Sequence, residues 1–123
     1  VYIDGNATVN SSNNNTYYIG NTQNDDLLIY DNIFVNNLEY TLSLKYSMGS
    51  GQSAKIQLSA KSDTDSDYKD ISAELSAITT NSWSIFLDHF FTETITFENT
   101  GVYSIRIKII KSALNLTFLI FNE

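Results

Sequence analysis

Hydrophobic and polar residues alternate strictly along Tyr40–Ser47, with apolar side chains at every second position. A period of two predicts a half-buried β-strand, because successive side chains leave opposite faces of a sheet. The segment Ala54–Ala60 repeats the alternation after a short turn that contains Gly49 and Gly51. Glycine tolerates the backbone angles of tight turns, so these two segments together predict a β-hairpin.

Short apolar runs separated by turn residues recur along the rest of the chain, and this spacing is typical of a β-sandwich. The further candidate strands are Tyr2–Ile3, Thr8–Val9, Tyr17–Ile19, Leu27–Tyr30, Ile33–Val35, Tyr68–Ile71, Ser84–Leu87, Thr94–Phe97, Val102–Ile110 and Leu116–Phe121. The clearest turn, Asn99-Thr100-Gly101, joins Thr94–Phe97 to Val102–Ile110. One helical turn is predicted at Ile71–Ile78. We therefore expect a single all-β domain over residues 1–123, built as a sandwich of two antiparallel sheets.

The composition and charge of the chain limit the classes of molecule that it is expected to bind. The chain of 123 residues has no Cys and a net charge of −7. The absence of Cys excludes disulfides and thiolate metal sites. An acidic surface repels nucleic acid and anionic membranes. The apolar runs are far shorter than the roughly 20 residues of a membrane span. Neutral sugars or cations are the partners that this charge favours.

Catalytic residues are sparse in the sequence. His89, the only histidine, follows Asp88, but no G-x-S-x-G nucleophile elbow accompanies it. His89 is therefore expected to be a polar residue on a loop. A pair of catalytic carboxylates remains an alternative, because the distance between two carboxylates cannot be derived from the sequence. An enzyme would lose its activity when His89 or one such carboxylate is replaced.

The segment Asp63–Glu74 has carboxylates at the first, third, fifth and twelfth positions, as an EF-hand calcium loop does. The sixth position, where that loop needs Gly, is Tyr68, and a predicted strand precedes the segment instead of a helix. A solvated acidic loop is the favoured interpretation.

The aromatic residues divide into two groups by position. Five are predicted to point into the core: Tyr40, Tyr46, Phe97, Tyr103 and Phe118. Five others flank polar loops: Tyr17, Tyr18, Trp83, Phe86 and Phe90. An aromatic ring beside Asn or Asp suits a pyranose, since the ring stacks on the apolar sugar face and the amide or carboxylate bonds the hydroxyls. The second group therefore contains candidate sugar contacts.

Five blocks resemble, in order, the β-jelly-roll carbohydrate-binding modules of families six and thirty-five. The blocks are Tyr17–Val35, Leu38–Ser47, Thr80–Phe86, Phe97–Ile107 and Asn115–Phe121. For example, Leu38–Ser47 is similar to a "G-x-Y-T-L-x-V-R-Y-A" strand of these families, and Asn115–Phe121 to their closing "N-I-D-W-I-x-F". The resemblance covers nearly the whole chain and implies a jelly-roll sandwich that binds glycan without catalysis.

The resemblance also implies a sugar site in the loops at one end of the sandwich. The candidate ligand-binding residues are Tyr18, Trp83, Phe86, His89 and Asn115, although the position of Trp83 favours the core. Phe86 replaces the second Trp of the family pattern and offers a smaller stacking face.

The same resemblance implies a structural calcium ion that would tie the amino-terminal strand to the sandwich. Asp4 and Asn6 occupy the positions of the family's paired acidic ligands, and Thr117 replaces its late Asp. Asp4 and Asn6 are therefore the candidate metal residues.

The resulting expectation is a module of a secreted or cell-surface, bacterial, multidomain protein. Its expected partners are an oligo- or polysaccharide and neighbouring domains of a larger chain. The alternative is a structural or protein-interaction domain, of a surface or toxin protein, that keeps the fold without binding sugar. An exposed apolar patch would favour protein docking, and isolated aromatics among amides would favour sugar.

Overall fold

All regular structure in the computed structural model is β-strand, over the described residues 1–11, 17–112 and 114–123. These residues form eleven strands, numbered along the chain. The strands are β1 (Tyr2–Asp4), β2 (Thr8–Ser11), β3 (Tyr17–Gly20), β4 (Leu27–Val35), β5 (Glu39–Met48), β6 (Ala54–Ser62), β7 (Lys69–Asp70), β8 (Leu75–Ala77), β9 (Ser82–Thr96), β10 (Gly101–Lys111) and β11 (Asn115–Asn122). The predicted all-β class is confirmed.

The strands form two antiparallel sheets, as predicted. The first sheet has six strands in the order β1-β4-β10-β6-β7, with β8 also pairing with β6. The second sheet has five strands in the order β2-β3-β11-β5-β9. The apolar sides of the two sheets pack against each other around one cluster of buried residues. The core therefore lies between the sheets, and the connecting loops lie at the two ends.

The hairpin predicted from the two alternating segments is wrong. Strand β5 belongs to the second sheet and β6 to the first, so the chain crosses between sheets at the Gly-containing turn. Leu42 and Leu44 of β5 are buried, as are Ile56 and Leu58 of β6. Alternation determines which side of a strand is buried, whereas the hydrogen-bonding neighbour depends on the rest of the sheet.

Three other predictions of local structure need correction. The predicted helical turn at Ile71–Ile78 contains strand β8 instead, which pairs with β6. The candidate strands on either side of His89 are parts of one strand, β9, so His89 lies in a strand and not on a loop. The two segments within β4 are also continuous, across a positive φ of 60° at Asn32.

Aromatic residues in the core lie where the sequence predicts them. Tyr40, Tyr46, Phe97 and Tyr103 are buried. The Phe97 ring packs edge-on against Tyr40 at 5.9 Å and at a tilt against Tyr103 at 5.0 Å. The Phe118 side chain lies outside the described residues. Offset contacts of this kind stabilise a core beyond the area that they bury.

The acidic segment 63–74 is largely solvated, as favoured from its sequence. Asp63, Asp67 and Asp70 are exposed. Asp65 accepts a hydrogen bond from the backbone N–H of Ser62 at 3.0 Å, and this bond lowers the pKa of its carboxyl group. Asp65 therefore closes a turn between strands.

The amino-terminal strand is held to the body of the sandwich by a buried carboxylate that sequence analysis missed. Asp26 is only 2% exposed. Its Oδ1 accepts the backbone N–H of Asn6 at 3.0 Å and its Oδ2 accepts that of Gln23 at 2.9 Å. Gly5 has a φ of 143° and lies directly against this carboxylate, where a Cβ atom would collide with Oδ1. Asp26 thus joins two separate turns.

Among the described residues, no helix is long and apolar enough to cross a membrane.

Replacing Asp26 by Asn tests this junction. The Asn side chain would place an N–H₂ group against one of the two backbone N–H donors, so we expect the free energy of unfolding to fall by about 2 kcal/mol. Urea denaturation measures the loss. Asp25→Asn is the matched control. Among the described residues, the one side-chain partner of Asp25 is Lys108, in an exposed ion pair, and such pairs contribute about 1 kcal/mol or less. Equal stability of the two variants would contradict the role of Asp26.

Candidate functional site

A pocket of about 530 Å³ opens at the end of the sandwich where β3 ends and β9 and β11 begin. Its lining residues are Asn10, Tyr18, Gly20, Asn21, Thr22, Gln23, Trp83, Leu114 and Asn115. This volume is in the range of small-molecule sites. Three of the five predicted ligand residues, Tyr18, Trp83 and Asn115, therefore line one cavity.

One wall of the pocket depends on the small size of Gly20. A Cβ atom at this position would lie 2.9 Å from Asn115 Oδ1 and 2.9 Å from Tyr18 Cε2. Both distances are shorter than ordinary van der Waals contact. The absence of a side chain at Gly20 therefore allows the Tyr18 ring and the Asn115 amide to approach each other.

The loop after β3 is fixed by a buried threonine. Thr22 is buried, and its hydroxyl donates to the backbone carbonyl of Leu114 at 3.1 Å and accepts the Leu114 N–H at 3.2 Å. Asn21 next to it has a positive φ of 55°, a conformation that Asn tolerates better than most residues. These contacts fix the position of Asn115, which is the first residue of β11.

A turn of two threonines before β9 lies behind Trp83, which is the residue of β9 that lines the pocket. The backbone N–H of Met48 donates to Thr80 Oγ1 at 3.0 Å, and the Thr79 hydroxyl donates to the carbonyl of Gly49 at 2.6 Å. The Tyr46 hydroxyl donates to the carbonyl of Ile78 at 2.6 Å. The start of β9 is therefore attached to the end of β5.

Trp83 does not enter the core, so the core position that its sequence context favours is wrong. The side chain is 45% exposed, and its indole Nε1 lies against the backbone of Gly49. A Cβ atom at Gly49 would occupy the place of the indole ring. Trp83 thus packs one surface on a glycine and leaves part of the ring open to the pocket.

Phe86, the fourth predicted residue, reaches the pocket through Tyr18. The two rings are 5.6 Å apart and tilted by 52°. Tyr18 belongs to β3 and Phe86 to β9, with β11 and β5 between them. The aromatic pair therefore spans the outward side of those two strands. Ser47 of β5, which pairs with Asn115 of β11, is fully buried.

His89, the fifth predicted residue, is not brought to this pocket. Its ring contacts Phe91 at 4.5 Å and Tyr46 at 6.3 Å, both in edge-on geometry. The cross-strand neighbour of His89 is Leu44, which points into the core. The side chain therefore lies on the inward side of β9 and packs against aromatic rings.

Sequence analysis missed the polar residues of the pocket. Asn10, Asn21, Thr22 and Gln23 line it together with the predicted residues. Asn10 reaches the site because β2 pairs with β3, which places it opposite Tyr18. The available signal was the clustering of Asn and Thr before β4, but a polar loop alone does not indicate which side chains converge.

The side chains that line the pocket are uncharged. None of its lining residues carries a charge. Among the described residues, no hydrogen bond engages the side-chain amide of Asn115, which lines the pocket and is available to a ligand. Two aromatic rings beside side-chain amides suit a neutral molecule with an apolar face and polar edges.

The candidate metal residues lie beside Asp26. Asp4 is in β1, and Asn6 follows it in a turn whose backbone N–H binds the Asp26 carboxylate. Their side chains offer oxygen atoms, which calcium prefers. Among the described residues, no group of three or more His, Cys, Asp or Glu side chains is placed to hold a metal ion. The calcium ion stays a prediction.

Replacing Gly49 by Ala tests how Trp83 is positioned. The added methyl group would displace the indole ring, so we expect its fluorescence to change and its quenching by acrylamide to increase. Trp83 is the only tryptophan, and the signal is therefore specific. Ser50→Ala, one residue further along the turn, is the control. A Gly49→Ala variant with the native spectrum would contradict the contact.

No protein-family model and no curated protein matches the chain. Solved structures do match it. A family 6 carbohydrate-binding module from Clostridium stercorarium, in complex with cellobiose, superposes with a TM-score of 0.78 at 17% identity, over 100% of this chain and 87% of that chain.

Two further solved structures show the same fold. The C-terminal family 6 module of a laminarinase from Zobellia galactanivorans gives a TM-score of 0.75 at 14% identity, over 100% of this chain and 92% of that chain. An exo-β-1,3-galactanase from Phanerochaete chrysosporium, in complex with galactose, gives 0.75 at 13% identity, over 98% of this chain but 27% of that chain. The chain therefore has the β-sandwich fold of family 6 carbohydrate-binding modules, as its sequence blocks predict.

Proposed function

We propose that this domain is a non-catalytic module that binds neutral glycan in the pocket at the loop end of the sandwich. The observation that carries the proposal is the convergence of Tyr18, Trp83 and Asn115 on one uncharged cavity. A sugar ring would stack on the aromatic side chains, and the amide of Asn115 would bond its hydroxyl groups.

The expected binding is weak. The pocket is open, and water must leave both the side-chain amides and the sugar hydroxyl groups before they bond to each other. Shallow sites of this kind give dissociation constants on the order of micromolar to millimolar, or ~4–8 kcal/mol. Phe86 contributes by supporting the Tyr18 ring, which it contacts at 5.6 Å.

The position of His89 supports a role without catalysis. Its ring packs against Phe91 and Tyr46 and does not reach the pocket, so it is not placed to exchange protons with a ligand there. The pocket itself contains no carboxylate that could act as an acid or base. Binding, and not bond cleavage, is the function that these side chains support.

The structural neighbours suggest a class of ligand and a context. One contains cellobiose, another is part of a laminarinase, and both come from bacteria. The match covers 27% of the galactanase, which supports a place for this domain in a larger protein. We therefore propose a β-glucan as the ligand, and a secreted or cell-surface, bacterial, multidomain parent protein.

Replacing Tyr18 or Asn115 by Ala should weaken binding to β-glucan at least tenfold, which corresponds to about 1.4 kcal/mol. Affinity electrophoresis in gels that contain laminarin or hydroxyethyl cellulose measures the change. Tyr17→Ala is a matched control, since Tyr17 neighbours Tyr18 but is exposed and does not line the pocket. If the two pocket variants are folded and migrate like the native domain, the site assignment is wrong.

A second candidate function rests on another surface. Ile78, Ile85 and Leu87 are large, exposed apolar residues at or near β9, which is the edge strand of the second sheet. Such a strip favours docking of another protein domain. A folded domain that binds none of the glucans and associates through this strip would support the interaction-domain alternative.

The calcium proposal can be tested through stability. A calcium ion held by Asp4 and Asn6 would bind only the folded state and raise the melting temperature as its concentration rises. Calorimetry in calcium and in chelator measures the shift, which Asp4→Ala should remove. Asp63→Ala, in the solvated acidic loop, is the control. A melting temperature that does not respond to calcium would contradict the proposal.

A further inference from the structure

The hydroxyl group of Thr8 lies beside the pocket at the loop end of the sandwich and anchors two of its side chains. Asn10 Nδ2 donates a hydrogen bond to Thr8 Oγ1 at 3.0 Å, and Asn21 Nδ2 donates to the same oxygen at 2.8 Å. Asn10 and Asn21 line the pocket, whereas Thr8 does not. One hydroxyl group outside the cavity thus holds amides from two separate elements, strand β2 and the loop after β3.

Strand pairing explains why Thr8 can reach both amides. Thr8 of β2 lies opposite Gly20 of β3, and opposed residues carry their side chains on the same side of a sheet. Asn10 lies two positions further along β2 and is therefore on this side as well. A Cβ atom at Gly20 would lie 3.1 Å from Asn10 Nδ2, which is tighter than ordinary contact. Gly20 therefore leaves the space that the Asn10 amide occupies.

The bonds to Thr8 determine which atom of the Asn10 amide a ligand can use. Asn10 Nδ2 also donates to the backbone carbonyl of Thr8 at 3.1 Å. A carbonyl oxygen carries no hydrogen, so the amide atom that faces it must be the nitrogen. The two acceptors on Thr8 match in number the two N–H bonds of this amide. Asn10 Oδ1 accepts no hydrogen bond from the described residues, so Asn10 is left with an acceptor to offer.

The Asn21 amide is held by the same hydroxyl group. One N–H bond of Asn21 is directed to Thr8 Oγ1, and Asn21 Oδ1 accepts no hydrogen bond from the part of the chain that the structure describes. Asn10 and Asn21 thus each bring an unpartnered amide oxygen to the lining of the pocket. A ligand that covers such an oxygen without donating to it loses free energy, because the oxygen gives up its bond to water.

We propose that Thr8 is a positioning residue of this pocket and makes it selective for ligands that donate hydroxyl hydrogens to Asn10 and Asn21. The inference rests on the glycan-binding function proposed above and deepens it. A sugar with hydroxyl groups beside these two residues bonds both amide oxygens. A sugar that lacks one of these hydroxyl groups leaves an oxygen without a donor and is disfavoured.

The first arm of the test needs no ligand, since the side-chain amide NMR signals of Asn10 and Asn21 report the bonds to Thr8. Thr8→Val removes the shared oxygen and keeps the branched shape, so both signals should move. Thr8→Ser keeps the oxygen, and both signals should stay near their native positions. Thr94→Val is the matched control, since Thr94 is exposed in β9 and its side chain makes no hydrogen bond to the described residues. Native signals in the Thr8→Val variant would overturn the positioning role.

The second arm measures selectivity with methyl β-cellobioside, methyl β-laminaribioside and their monodeoxy derivatives, each of which lacks one hydroxyl group. For the native domain, loss of the hydroxyl group that meets Asn10 or Asn21 should weaken binding about tenfold. Thr8→Val should bind the parent disaccharide about three- to fivefold more weakly and should reduce the penalty for that deoxy derivative to about twofold. Thr8→Ser should keep both native values.

Two outcomes of the second arm would contradict the inference in different ways. A Thr8→Val variant that weakens the parent disaccharides and all deoxy derivatives by the same factor would show a merely structural role and overturn the proposal. A native domain that binds neither disaccharide would overturn the proposed function and the selectivity with it. The ligand-free spectra would still decide whether Thr8 holds the two amides.

Discussion

The burial of one apolar side of each sheet is the constraint on which the rest of the structure depends. The two most regularly alternating strands, β5 and β6, belong to different sheets and turn their apolar residues toward a common core. Because the chain must cross between the sheets to achieve this, its connections collect at the two ends of the sandwich. The pocket proposed to bind glycan is formed by such connections, where the loop after β3 meets the starts of β9 and β11.

Small residues and hydroxyl groups position the aromatic residues and the loops of this pocket. Gly20 allows Tyr18 and Asn115 to converge, and Gly49 supports the indole ring of Trp83. Thr22 and Thr80 replace backbone hydrogen bonds at the loop ends, where strand pairing stops. The uncharged, partly aromatic pocket therefore lies where threonine hydroxyl groups already bond the backbone of the loops.

Sequence patterns predicted the local features, namely the strands and their buried sides. They failed for features that depend on contacts between residues far apart in the chain. The two-residue period predicted the strands and the buried rings of Tyr40 and Phe97, because the side of a strand that is buried is visible in its own residues. The partner of β5 is not visible there, so the predicted hairpin was wrong. Trp83 was misplaced for a similar reason, since its packing surface is a glycine 34 positions earlier in the chain. Asp26 was missed because its two backbone partners lie in separate turns, one of them 20 residues away.

Two cavities of this sandwich differ in chemistry in a way that follows from their positions. The pocket at the loop end lies among loops, and amides and hydroxyl groups line it. The cavity beside β4 and β11 lies between the sheets, where side chains are apolar and where Thr117 Oγ1 has no hydrogen-bond partner among the described residues. The polarity of each cavity therefore follows from its place in the fold, among loops for one and between the sheets for the other.

The most direct test of the central claim is an NMR titration of the isolated domain with cello- and laminari-oligosaccharides. The account predicts that the indole N–H of Trp83 and the side-chain amide of Asn115 shift progressively and saturate, together with the backbone amides of Gly20–Gln23. A well-folded spectrum in which these resonances stay in place with both series of oligosaccharides would contradict it.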